Sequence, residues 1–162
     1  MANNTSSGQP KPNRLLADGM LGRLARWLRI LGYDTAFERG ADDWALVRRA
    51  RAEGRLLLTR DHELAARRGV SALLIESEDL TSQLRQVVAV VGPSLEGAFT
   101  RCPVCNEQLI SLSRQAAGGR VPPHVHRTQQ EFRLCPVCER VYWRGTHWER
   151  MKKALDLTLE DD

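Results

Sequence analysis

From Arg14 to Gly92, short apolar runs alternate with stretches whose apolar residues recur every three or four positions. The first run, Arg14-Leu15-Leu16-Ala17, stops at Asp18. Met20, Leu21, Leu24, Leu28 and Leu31 then fall at helical spacing up to Gly32, a residue suited to ending a helix. Tyr33 to Phe37 predicts a second strand before a turn at Gly40. Asp42 and Asp43 open a helix that carries Trp44, Leu46, Val47 and Ala50 and stops near Gly54. Arg55 to Thr59 is the plainest strand; Arg60-Asp61 and a helical stretch from His62 to Arg68 follow it. Val70 to Ile75 predicts a fourth strand, and Leu80, Leu84, Val87, Val88 and Val91 a further helix. Parallel strands need crossover connections, so the alternation predicts an α/β domain with a mostly parallel sheet and helices on both faces.

Beyond Thr100 the pattern changes. Cys102-Pro103-Val104-Cys105 and Cys135-Pro136-Val137-Cys138 are two near-identical knuckles. Each offers two thiolates from a tight turn, and together they complete the tetrahedral Cys₄ sphere of a structural zinc ribbon. A redox pair is the rival reading of one such knuckle, but the duplication and the lack of a thioredoxin-like context argue against it. Gly118-Gly119 and Pro122-Pro123 mark the stretch between the knuckles as a flexible excursion, with His124 and His126 on an exposed loop. The chain therefore divides into a leader over 1–13, rich in Asn, Ser, Gly and Pro and expected to be disordered; an α/β domain over 14–99; a zinc ribbon over 100–155; and an acidic tail over 156–162 that is expected to fray.

The length of 162 residues and a hydrophobic share of 42% suit one domain with a small appendage and exclude a large multidomain enzyme. No run approaches the ~20 apolar residues of a membrane helix, and the N-terminus lacks the apolar core of a signal peptide. A soluble cytoplasmic protein whose cysteines are ligands or free thiols is the resulting expectation. Lys plus Arg number 24 against 20 Asp plus Glu, a net +4 that permits a nucleic-acid partner without demanding one.

Asp18 and Asp61 follow predicted strands directly, and Asp43 opens the helix after the second strand. Ligands of open parallel sheets bind beyond the carboxyl ends of the strands, so these three carboxylates can meet on one rim. Such a cluster needs a cation, and its hard oxygen donors favour Mg²⁺ or Mn²⁺, which would suit phosphodiester hydrolysis. Each Asp taken singly also serves as a helix cap. Arg23, Arg26 and Arg29 recur on one helix face beginning beside Asp18, and with Arg60 they are candidate phosphate contacts; a solvated helix face is the plainer reading. Trp27 and Trp44 are expected in the core. The run Val141-Tyr142-Trp143-Arg144-Gly145-Thr146-His147-Trp148 mixes rings and positive groups as single-stranded nucleic-acid sites do; aromatic packing of a small ribbon is the plainer reading, and Trp143 is assigned to it.

Taken in order, Leu15 to Asp18, Met20 to Arg29, Leu31 to Asp34, Asp43, Leu58 to Asp61, the two Cys-Pro-Val-Cys knuckles and Tyr142 to Trp148 resemble the Mut-seven C-terminal ribonuclease domain family. The resemblance spans roughly Arg14 to Met151. It implies a PIN-like nuclease fold with an added zinc ribbon, and a metal-dependent ribonuclease acting on RNA. Asp18, Asp43 and Asp61 match its acidic positions, and the four cysteines match its ribbon. PIN-like sites often add a fourth acidic residue, for which Glu76, Glu78 and Asp79 are candidates. The rival reading is a non-catalytic adaptor that binds RNA or protein through the ribbon and the arginines.

Overall fold

Successive residues of the central strands point to opposite sides of one sheet, and both sides are apolar, so the sheet must be covered twice. The structure, a computed structural model, describes residues 13–94 and 96–159. The expected disordered leader up to residue 12 and the last three residues of the acidic tail lie outside the described residues. Strands β1 (Arg14–Ala17), β2 (Asp34–Phe37), β3 (Leu56–Thr59) and β4 (Ala72–Leu74) form a parallel sheet in the order β2-β1-β3-β4. On one face Leu15, Ala17, Leu56 and Leu58 meet helix α1 (Gly22–Ile30) through Leu24 and Leu28, and α4 (Leu80–Val91) through Leu84, Val87 and Val91. On the other, Leu16, Ala36 and Leu57 meet α2 (Asp43–Glu53) through Leu46, Val47 and Ala50, and the single turn α3 (His62–Ala65) through Leu64. Burying each such aliphatic side chain is worth about 1.5–3 kcal/mol.

The chain leaves β1 for β2 on one side and later returns to β3 on the other. The connections that follow β1 and β3 therefore diverge at the carboxyl ends of two neighbouring strands, which creates a crevice there. Beyond α4, strands β5 (Ile110–Leu112), β6 (Phe132–Leu134) and β7 (Val141–Tyr142) form a small antiparallel sheet, with α5 (Arg114–Ala117) and α6 (Pro123–Thr128) between β5 and β6. Helix α7 (Thr146–Leu159) then lies against α4, and its Met151 and Leu155 join the core of the first sheet.

Several expectations change at this point. Met20 is 78% exposed rather than on the apolar stripe of α1, because the Asp18 side chain accepts its N–H and holds it in the turn before the helix. Trp44 is 72% exposed rather than in the core, with the Arg67 guanidinium 5.6 Å from its ring. The stretch between the knuckles is folded: α5 and α6 bring Ala117, Val121 and Val125 onto Phe132, with Trp143 packed alongside. His124 and His126 accordingly sit on α6 and not on a loop.

Arg29 departs furthest from the basic face expected of it. It is 8% exposed and donates through Nε to the Thr35 carbonyl and through Nη1 to the carbonyls of Pro103 and Val104 in the first knuckle. Burial pushes its pKa down, while the charges of Cys102, Cys105 and Asp34 push back. Asn106, the next residue after that knuckle, accepts the Thr35 N–H through Oδ1 and donates through Nδ2 to Asp34 Oδ1. Thr35 lies on the edge strand β2, so Arg29 and Asn106 take up the outward N–H and C=O that a further strand would have paired. Gly32 closes α1 at φ 95°, where a Cβ would come within 1.9 Å of the Gly97 carbonyl.

Arg29→Met is expected to destabilise the fold by about 3 kcal/mol in urea unfolding, because buried carbonyls lose their donors. The exposed Arg26→Ala should change stability by less than about 0.5 kcal/mol.

Asp34 gives the fold an acid dependence. Burial alone would raise its carboxyl, but hydrogen bonds from Arg55 and Asn106 and the charges of Arg55 and Arg101 outweigh this and hold it at about 2. The folded value lies below the unfolded one, so the associated stability is complete above about pH 4 and drains as pH falls toward 2. Acid titrations of unfolding free energy are expected to fall by roughly 2 kcal/mol more for the wild type than for Asp34→Asn across that interval.

Candidate active-site rim and metal centre

Asp18 is fixed by its own turn. Its N–H donates to the Leu58 carbonyl across the sheet at 3.1 Å, and its Oδ1 accepts the Met20 N–H at 2.9 Å. Its Oδ2 accepts the hydroxyl proton of Thr59, a fully buried side chain at the end of β3. The same Thr59 oxygen accepts the Asp61 N–H at 3.0 Å. One hydroxyl thus ties together the carboxyl ends of β1 and β3, its single proton committed to Asp18 and a lone pair to the Asp61 backbone. Gly19 sits beside this network, where a Cβ would lie 3.4 Å from the Glu38 carbonyl. The turn after β1 and the turn after β2 are therefore in close approach on the same rim.

Asp61 caps α3, its Oδ1 accepting N–H bonds from Glu63 at 2.8 Å and Leu64 at 3.1 Å. Its Oδ2 takes no part in the cap. Asp42 is the cap of α2, accepting from Ala45, and Asp43 is left in the first turn with Oδ2 paired to Arg67 at 3.2 Å. An exposed pair of this kind is worth less than about 1 kcal/mol, so it yields readily to a stronger partner. Thr59 thus links Asp18 to Asp61, Asp43 faces Arg67, and among the described residues the three carboxylates do not close into a ligand group as the four cysteines do.

Of the predicted phosphate contacts, Arg23 and Arg26 are exposed on α1. Arg60 reaches Glu78 at 3.3 Å, and its buried Nε has no hydrogen-bond partner among the described residues. Asp79 caps α4, its Oδ2 accepting from Ser82, and Glu76 stays exposed. In the sequence Thr59 reads as a residue that orients ligands, contacts phosphate or simply ends a strand, and Arg67 as one of several phosphate contacts; the structure makes Thr59 the link between the two strand ends and Arg67 the partner of Asp43, a pairing that no local signal announced.

The cysteines gather where the knuckles meet. Cys102, Cys105, Cys135 and Cys138 place all four sulfurs within 4.8 Å of one another, with Cys102–Cys138 at 3.6 Å and Cys105–Cys135 at 3.4 Å. Tetrahedral zinc with bonds of about 2.3 Å needs sulfurs about 3.8 Å apart, so the donor set and its spacing fit such an ion. Each knuckle is followed by a residue with left-handed backbone, Asn106 at φ 68° and Glu139 at φ 62°. Their N–H groups return to the Cys102 and Cys135 carbonyls in the same way. Burial alone would raise the Cys102 thiol, but hydrogen bonds from the Tyr142 hydroxyl and the knuckle backbone bring it down to about 7. Burial and the neighbouring sulfurs push Cys105 up to about 12, so four closely spaced thiols ionise together only with a cation among them. Among the described residues no helix is long and apolar enough to cross a membrane.

A parallel α/β sheet with carboxylates at its topological switch point, joined to a cluster of four cysteines that could hold a metal ion, is the class of protein that these features define. A family model described as the Mut7-C RNAse domain matches residues 13–155, and the chain belongs to that family. It is also 36% identical over 111 residues to the human protein described as Exonuclease mut-7 homolog, an alignment that covers 62% of this chain and 13% of that protein. The family match supports a nuclease function. The alignment spans only a small part of the human protein's length. No solved structure matches the chain.

Elemental analysis is expected to find one zinc per chain, lost in Cys102→Ser and Cys135→Ser. Because Asn106 and Arg29 join this knuckle to β2, stripping the metal should also speed hydrogen exchange at the Thr35 amide, well outside the centre.

Proposed function

We propose that this chain is a PIN-like ribonuclease that hydrolyses RNA phosphodiester bonds with Mg²⁺ or Mn²⁺, and that its zinc ribbon aids RNA binding. The observation that carries the reading is the Thr59 hydroxyl, which holds Asp18 and Asp61 at the switch point of the sheet. Asp18, Asp43 and Asp61 are the residues that would hold the catalytic ion. The donor chemistry suits it: Asp61 keeps Oδ2 outside its cap, Asp43 keeps Oδ1 outside its pair with Arg67, and hard carboxylate oxygens select such cations. When bound, the ion supplies charge neutralisation for the phosphate and a more acidic water.

The protein's own groups do the rest. Thr59 orients Asp18 by donating to it, so the carboxylate is already aimed before substrate arrives. Arg23 and Arg26, exposed along the helix that starts beside Asp18, offer forked contacts to phosphate oxygens. Arg60 carries the unpartnered Nε at the same rim. Family membership favours RNA as the substrate, and unpaired strands suit a crevice at the strand ends better than a rigid duplex does. The caps made by Asp61 and Asp79 favour one alternative, an adaptor that binds RNA or protein without cutting it.

End-labelled single-stranded RNA, beside DNA of the same sequence, is the substrate for the test, with Mn²⁺, Mg²⁺ or no divalent ion. Cleavage that requires the ion and falls at least about a hundredfold in Asp18→Asn is expected. Thr59→Val should lose about tenfold, as positioning is lost while every carboxylate remains. Undiminished cutting by Asp18→Asn would overturn the assignment, and binding without cleavage under every condition would select the adaptor.

A further inference from the structure

The ribbon does not lie flat against the α/β domain. Between α1, the first knuckle, α6 and the start of α7 is an open cleft of about 780 Å³. Trp27 from α1 and Tyr142, Trp143 and Trp148 from the ribbon and α7 line it, as do the exposed Arg26 and His147. No lining residue is acidic. Seven of its lining residues come from the run Val141 to Trp148, whose rings the acidic rim leaves unused.

Two features show that the cleft is built and not a gap left by loose docking. Phe99, on its floor, holds a left-handed backbone at φ 61°, which a bulky side chain adopts only when its surroundings compel it. Its N–H closes the end of α1 at the Ile30 carbonyl, its ring meets Trp148 edge-on at 5.0 Å, and the Arg144 guanidinium sits 5.3 Å from the same ring. Arg29 and Asn106 fix the distance between the two walls by bolting the first knuckle to β2.

We propose that this cleft is a binding site for unpaired bases of single-stranded RNA, with Arg26 holding the phosphate that links the cleft to the acidic rim. The inference rests on the ribonuclease reading and names where its substrate is held away from the rim. Rings accept any base face, and a guanidinium beside them meets the backbone. Arg26 lies about 6 Å along the axis from the start of α1, the end next to Asp18, so one strand of RNA can follow the helix from rim to cleft. Double-stranded RNA presents no free base faces and is excluded from it. The absence of acidic lining residues favours a polyanion over a basic peptide.

Anisotropy of labelled oligouridylate, measured on the full zinc-loaded chain without added Mg²⁺ or Mn²⁺, tests the site. Trp143→Leu keeps an apolar group against the ribbon core but removes a ring, and is expected to weaken binding about tenfold. Arg26→Ala, at an exposed position, should weaken binding by a similar factor and lower the salt slope by about one, whether or not Trp143→Leu folds. Thiouridine placed in the same RNA should crosslink within Val141 to Trp148. Unchanged affinity in both variants, or crosslinks confined to other segments, would overturn the proposal, and so would a proline-rich peptide that binds where oligouridylate does not. If the chain cleaves RNA while its affinity ignores both substitutions, the cleft fails alone. If RNA is held in the cleft by a chain that never cleaves, the nuclease reading fails alone.

Discussion

The guanidinium of Arg29 is buried where the two halves of the chain meet, and a permanent charge can be held there only if acceptors replace the water it has lost. The Thr35, Pro103 and Val104 carbonyls do so, one from the edge of the first sheet and two from a metal knuckle. Asn106 completes the joint from the other direction by accepting the Thr35 N–H. Neither half satisfies these groups alone. The edge of the sheet, the position of the knuckle and the width of the cleft between α1 and the ribbon are consequently set by one small hydrogen-bond network.

The ribbon half has too little apolar volume to stand by itself. Its own cluster is Ala117, Val121, Val125 and Phe132, beside a second cluster made largely of the cysteines. Small units of this kind need a metal or a neighbour. Here both are provided for: four thiols at zinc spacing on one side, and on the other α7, which carries Met151 and Leu155 back onto the core of the first sheet. The Phe99–Trp148 contact seals the path between them.

At the rim, capping a helix and preparing a ligand prove compatible. A cap consumes one carboxylate oxygen and leaves the other, as Asp61 shows, and a turn can hold a strand-end carboxylate without spending all its lone pairs, as Asp18 shows. The structural hydrogen bonds at these two positions therefore leave acceptor capacity on each carboxylate. Asp42 and Asp43 divide the tasks instead, the first capping α2 and the second facing Arg67.

Local pattern alone determined much of this protein. Apolar alternation placed all four strands of the parallel sheet and the helices between them, because strand and helix periods are properties of neighbouring residues; the paired knuckles declared the four-cysteine cluster because their spacing is itself a ligand geometry. What periodicity could not carry was direction and partner. Trp44 reads as core by its spacing, yet α2 turns it to solvent at the rim, and Arg29 reads as surface by its charge, yet the knuckle that satisfies it arrives more than seventy residues later. The stretch between the knuckles reads as flexible because Gly and Pro interrupt it, whereas its two short helices exist only through the core they build with Phe132. Sequence fixes what each residue can offer to its immediate neighbours; only the tertiary structure decides which distant group accepts the offer, since a buried charge or an edge amide is stable solely against the partner that the completed fold delivers.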